Sequence, residues 1–195
     1  TDAANALAWT IALNDRSRSL QLAREAKEAS ARIDHRRGWA EAVRTEGYAH
    51  LIMGEQAACL PLVAQAEEAF RAIDYGEGLA TALDIKFNAY ASLGAFDKAL
   101  EAAQECLEIA RQANLRRQEA WALHNLGNAL FEGGDTEASV LKVEAALAIF
   151  GELDYEIGRG HLLERLGRIY EDLGQMERAI ELTEQALESS RKRNF

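Results

Sequence analysis

Asn14, Gly54, Gly94, Gly134 and Gly174 return at one phase every 40 residues. Half a cycle later a second set keeps the same period: Asp34, Asp74, Asn114, Asp154 and Asn194. Both residue classes tolerate the backbone that ends a helix or makes a turn. A fixed period of about 20–50 residues marks a repeat array, in which each unit buries its apolar face only against its neighbours. The 195 residues therefore read as one elongated array, with no central core to limit its size.

Between these marks the pattern is helical. Residues 81–93 carry Leu83, Phe87 and Tyr90 on one stripe. After Gly94, with Asp97 near its start, a second stripe runs through Leu100, Ala103, Leu107 and Ala110. Pro61 is the one proline, and strong helix formers dominate the rest. Gly47, Phe87, Gly127 and Gly167 form a further phase inside the first helix of each unit. Glycine there costs about 1 kcal/mol relative to alanine, so its recurrence predicts close approach of the paired helices. No glycine cluster follows a strand, so no phosphate cradle is implied.

The formal charge of -10 argues against nucleic-acid binding, which needs a basic stripe to neutralise phosphates. No apolar run approaches the ~20 residues of a membrane span, and the opening stretch lacks the basic leader of a secretory signal. Cys59 and Cys106 fall at phases held by Ala or Ser in other units, so they read as small buried hydrophobes suited to a reducing cytosol. The expected location is cytoplasmic.

Residues 118–150 contain Asn125, Leu126, Gly127 and Asn128, then Gly134, Asp135, Ser139 and Ala146. Arg165, Leu166, Gly167, Tyr170, Gly174, Ala179 and Ala186 repeat the scheme. This pattern resembles the tetratricopeptide repeat. The longer period resembles the variety found in kinesin light chains, spindle-orientation adaptors and many bacterial regulators. The resemblance covers the whole chain as units of about 1–37, 38–77, 78–117, 118–157 and 158–195. The first is degenerate, with Leu7 at the glycine phase and Trp9 out of place. It implies an all-α, right-handed solenoid of antiparallel helix pairs, with the first helix of each pair lining a concave wall.

That frame aims Glu41, Arg44, Tyr48 and Leu51 inward, then Thr81, Asp84 and Asn88. The fourth unit offers Trp121, His124, Asn125, Asn128 and Phe131, and the fifth His161, Glu164, Arg165, Arg168 and Glu171. Aromatic and Arg side chains are the usual interface anchors. An Asn amide both donates and accepts, as an extended peptide backbone requires. The resemblance assigns Asn88, Asn125 and Asn128 to positions that bond ligand backbone in peptide-binding relatives. Asn88, Asn125 and Arg165 also match the carboxylate grip of heat-shock co-chaperones, and His161 half-matches it. Asp84 stands where that grip has its first Lys and would repel a carboxylate. The expected partner-binding set is Arg44, Tyr48, Asn88, Trp121, His124, Asn125, Asn128, Phe131, His161, Arg165 and Arg168.

His124, His161 and Glu164 lack the spacing of a zinc site, so no metal and no cofactor is expected. No Cys or Ser is visibly paired with a His, and the many Glu residues read as solvated outer faces or weak helix pairs. The chain therefore reads as a non-catalytic module that holds a peptide or protein segment. The alternative is a sensor segment of a larger signalling protein that binds a small ligand or regulatory peptide. The chain starts without Met and stops without a polar capping helix, which favours continuation into an output domain after Phe195. Uncapped terminal helices would also permit a homodimer.

Overall fold

The computed structural model describes residues 1–193, and among these every regular element is helical. The helices are α1 (Asp2–Ile11), α2 (Arg16–Arg32), α3 (Arg36–Ile52), α4 (Gln56–Ala72) and α5 (Gly76–Ser92). They continue as α6 (Phe96–Gln112), α7 (Arg116–Glu132), α8 (Thr136–Glu152), α9 (Glu156–Asp172) and α10 (Met176–Arg193). The period is now explained: two 17-residue helices and two three-residue turns make up the 40. Each full helix is about 26 Å long at the usual rise.

The two turn phases are the two sets of helix breakers. Gly54, Gly94, Gly134 and Gly174 have φ between 68° and 87°, and they end first helices. Asp34, Asp74, Asn114 and Asp154 have φ between 49° and 54°, and they end second helices. The following residue closes each turn, as Ala95 N–H does by donating to Tyr90 C=O at 3.0 Å and Tyr75 N–H to Phe70 C=O at 3.0 Å. Such bonds satisfy carbonyls that a helix end leaves open. Asn14 does not adopt the left-handed conformation, and α1 is only 10 residues long. Asn194 lies outside the described residues.

The helices gather into two compact units, Thr1–Ala113 and Asn114–Phe195. In the first, α1 to α6 pack in chain order, and α3 also touches α1 and α5. Its fully buried side chains include Val43, Val63, Phe70, Leu83 and Ile85. In the second, α7 pairs with α8 and α9 with α10, and α8 packs on α9. Val143, Phe150, Leu162 and Ile169 are fully buried there. Close approach within pairs is confirmed at Gly127, where an added Cβ would lie 2.6 Å from Val143 and 3.1 Å from the Ser139 carbonyl.

Glutamates are not all on outer faces, which corrects the sequence expectation. Glu46, Glu67 and Glu119 are buried. Glu46 on α3 takes Arg24 at 2.9 Å and also Lys27, both from α2. Glu67 on α4 takes Lys86 of α5 at 3.0 Å. Glu119 takes Arg116 at 2.7 Å on its own helix. Periodicity within one helix could not reveal the first two pairings, because Arg24, Lys27 and Lys86 stand on a neighbouring helix.

Candidate functional site

The second unit assembles most of the expected residues on the first helices α7 and α9. Trp121 and His124 lie one turn apart on α7, and His161 reaches them from α9. The ring centroids are 5.9 Å apart for Trp121 and His124, 5.6 Å for Trp121 and His161, and 5.0 Å for the two histidines. Trp121 also meets the buried Phe150 ring edge-on at 5.0 Å. One side of this indole is therefore core, while the residue keeps partial exposure. Such T-shaped arrangements are favoured by the ring quadrupoles, which fixes the cluster geometrically.

One turn further, Asn128 Nδ2 sits 3.0 Å from His124 Nε2. With the amide donating to Nε2, the imidazole proton belongs on Nδ1. That Nδ1 and Asn128 Oδ1 are both buried and unpartnered. Phe131 follows near the end of α7, and the Arg165 guanidinium lies over its ring at 4.8 Å. Arg165 Nε is likewise buried without a partner. Three unsatisfied polar atoms within one patch are unusual, because buried polar groups are nearly always hydrogen-bonded.

The field in this patch is positive. Burial, then His161, Arg165 and Arg168, push the His124 imidazole down to about 3. His161 is also pulled below its ordinary value by burial, with Glu164 opposing and Arg168 and Arg165 adding. Burial and Arg168 lower Arg165 in turn. His124 is thus a neutral hydrogen-bonding group at physiological pH. Among the described residues no group of three His, Cys, Asp or Glu side chains is arranged to hold a metal ion.

The remaining candidates fall differently. Asn125 is buried and already engaged, so its amide is no open hook. Arg168 is exposed on α9. In the first unit, Asn88 is exposed on α5 and donates to the Asp84 carbonyl of its own helix at 2.8 Å. Arg44 and Tyr48 stand on α3 against α1. Tyr48 stacks on Trp9 at 4.7 Å, and Arg44 lies over the same indole at 4.6 Å. Trp9 was missed by the repeat register, because it is off phase in a degenerate unit. An aromatic at no expected core position was the available signal.

The cysteines behave as small apolar residues. Both are free and buried, and burial pushes Cys59 up to about 11 and Cys106 up to about 12. Neither supplies a thiolate, the reactive form. Among the described residues no helix is long and apolar enough to cross a membrane.

A sequence model described as "Tetratricopeptide repeat" matches residues 88–152 and 118–192, more than half of the chain. The chain belongs to the tetratricopeptide repeat family. No curated protein sequence matches it. Among solved structures, a Rap protein complexed with Competence and Sporulation Factor superposes with TM-score 0.84 at 17% identity, covering 96% of this chain and 54% of that one. The present chain thus spans about half of that protein's length. BtubC (BKLC) from P. vanneervenii gives 0.78 at 19% identity over 92% of this chain and 75% of that one. A putative kinesin light chain with TPR-like repeats, from Podosopora anserina, gives 0.74 at 20% identity, covering 99% and 95% respectively. At such identities the likeness establishes the fold, an all-α solenoid of tetratricopeptide type. Arrays of this type generally serve as protein-interaction scaffolds without catalysis of their own.

Proposed function

We propose that the chain is a non-catalytic interaction module that holds a peptide or protein segment against the α7–α9 wall. The observation that carries this reading is the convergence of three buried, unpartnered polar atoms beside two half-exposed aromatics. His124 Nδ1, Asn128 Oδ1 and Arg165 Nε lack partners, and Trp121 and Phe131 lie in the same patch. A bound segment would bury those rings further and bond Asn128 and Arg165, which keep partial exposure, while the enclosed His124 imidazole holds the Asn128 amide in place. The polar set suits main-chain amides, which carry both. Asn88 and Arg168 offer further exposed contacts on α5 and α9, each within its own unit.

The Rap protein's complex with Competence and Sporulation Factor supports a second use of the same wall, as the input segment of a longer regulatory protein. Both readings share one test. Peptides selected from a random display library against the folded chain are titrated by calorimetry into wild type, Asn128→Ala and Arg165→Ala. Each substitution should weaken binding by roughly 1–3 kcal/mol, the cost of an unmatched buried polar partner. Selected peptides that bind both variants as tightly as wild type would remove the wall from the mechanism.

A further inference from the structure

Within the first unit, the start of α3 and the end of α4 border a cavity of about 260 Å³. Trp39 forms one wall. Ala69, Ala72 and Ile73 at the end of α4, with Ala31 of α2, form the rest, and Arg36 stands beside them. Trp39 and Ile73 are half-buried and Ala72 and Arg36 are exposed, so the cavity opens to solvent.

The repeat phases explain why the gap exists here. Gly76 stands where Arg36 does, and Ile109 and Ala113 stand where Ala69 and Ile73 do. A Cβ on Gly76 would lie 3.1 Å from the Ala113 Cβ, so the start of α5 rests directly on the end of α6. Arg116 also holds the Arg36 phase, but it pairs across the helix ends with Glu152 of α8. At the Glu152 phase the first unit has Ala72, and Arg36 pairs with Asp34 of its own turn at 3.9 Å. Neither a glycine nor a cross-helix ion pair therefore closes the α3–α4 ends.

Apolar walls around a gap lose dispersion contacts that an occupant would restore. The Trp39 face suits a second ring, stacked offset or met edge-on. An apolar cavity of about 150 Å³ takes benzene, so the larger volume here suits a whole molecule of about indole size. Trp, Ala and Ile walls carry no charge, which favours a neutral occupant.

We propose that this cavity is a binding site for a small neutral aromatic molecule. It lies at the ends of α2 and α4, apart from the α7–α9 wall, and it goes beyond the interaction reading.

The test follows the tryptophan indole N–H resonances of the isotope-labelled full chain by NMR, with Trp39 assigned by its loss in Trp39→Phe. Unlabelled indole is the probe, and tert-butanol is the apolar control without a ring. Indole should shift the Trp39 resonance saturably and leave those of Trp9 and Trp121 in place, and tert-butanol should give no saturable shift. Ala72→Phe should weaken the indole response about 10-fold or more, because the added ring takes up the cavity. No saturable Trp39 shift, an equal response to tert-butanol, or unchanged indole affinity in Ala72→Phe would overturn the site. Tighter binding of N-acetyltryptophan amide than of indole would overturn the free molecule in favour of a partner's side chain. The wild-type contrast between indole and tert-butanol decides on its own if the variant does not fold. The Trp39 resonance reports on the first unit, so its failure is distinct from failure of the α7–α9 wall.

Discussion

Acidification should strip stability from the second unit, with His124 making the largest histidine contribution. The ring is about 5% exposed, and it sits in the positive field of His161, Arg165 and Arg168. Its pKa falls from an ordinary 6.5 to about 3 in the folded chain. The unfolded chain therefore binds the proton first. The stabilising preference for neutral His124 is intact above pH 6.5 and is lost progressively as the pH drops toward 3. Within that window the slope is about 1.4 kcal/mol per pH unit, so about 3 kcal/mol disappears between neutrality and roughly pH 4.5.

Other groups also titrate over this range, so the measurement must be a difference. His124→Gln removes the titration while keeping an acceptor near Asn128 Nδ2. Urea unfolding of both proteins, at steps from neutral to acid pH, gives the stability gap between them. The gap should move against wild type by about 1.4 kcal/mol per pH unit below the ordinary histidine value. Parallel curves, with a gap constant to within about 0.5 kcal/mol, would refute the buried neutral imidazole.

Gly127→Ala should destabilise the second unit by about 1–3 kcal/mol in urea unfolding, because the new Cβ would press on Val143 and the Ser139 carbonyl. Asp154→Val should cost about 1–2 kcal/mol, since a β-branched residue cannot relax at φ 49°, whereas Asp154→Gly should not destabilise. Burial works to raise the Glu46 pKa, but Lys27 and Arg24 outweigh it and hold it below the ordinary value. Its contribution is present above the ordinary carboxylate range and is lost as pH falls through the depressed folded value. Glu46→Gln should therefore destabilise the chain at neutral pH, by about 1–3 kcal/mol, and matter least in acid.

The turns were legible because a positive φ restricts residue choice: Gly94 and Asp154 announce themselves in sequence and adopt the left-handed region in the structure. The start of α5 was not. Sequence periodicity begins at residue 81, but the helix begins at Gly76. Its first turn holds two glycines, Gly76 and Gly78, which are poor helix formers. Gly78 is there because any Cβ would collide with Phe70, 2.5 Å away. The wall residues were legible as types and less so as orientations. His124 and Asn125 carry polar groups suited to a groove, yet both turn inward and are nearly buried. A repeat frame fixes a residue's angular position only to about one step around the helix, and one step is about 100°.

One feature of the packing follows from superimposing the repeats. Lys27 and Glu67 occupy the same phase, and so do Glu46 and Lys86. The α2–α3 junction thus places its cation on the second helix and its anion on the first, while α4–α5 reverses the order. At the same phases in α8 and α9 stand Leu147 and Leu166. Near-identical repeats can stack out of order, since each offers its neighbour a similar face. Here a slipped stack would bring Lys27 against Lys86, or Glu46 against Glu67, and either contact would bury like charges. An apolar Leu partner would leave a buried charge unpaired. We infer that the ion pairs also serve as a label on each junction, since breaking either leaves a buried carboxylate uncompensated. That is a use that tolerates swapped polarity, and it explains why the swap coexists with a strictly kept period.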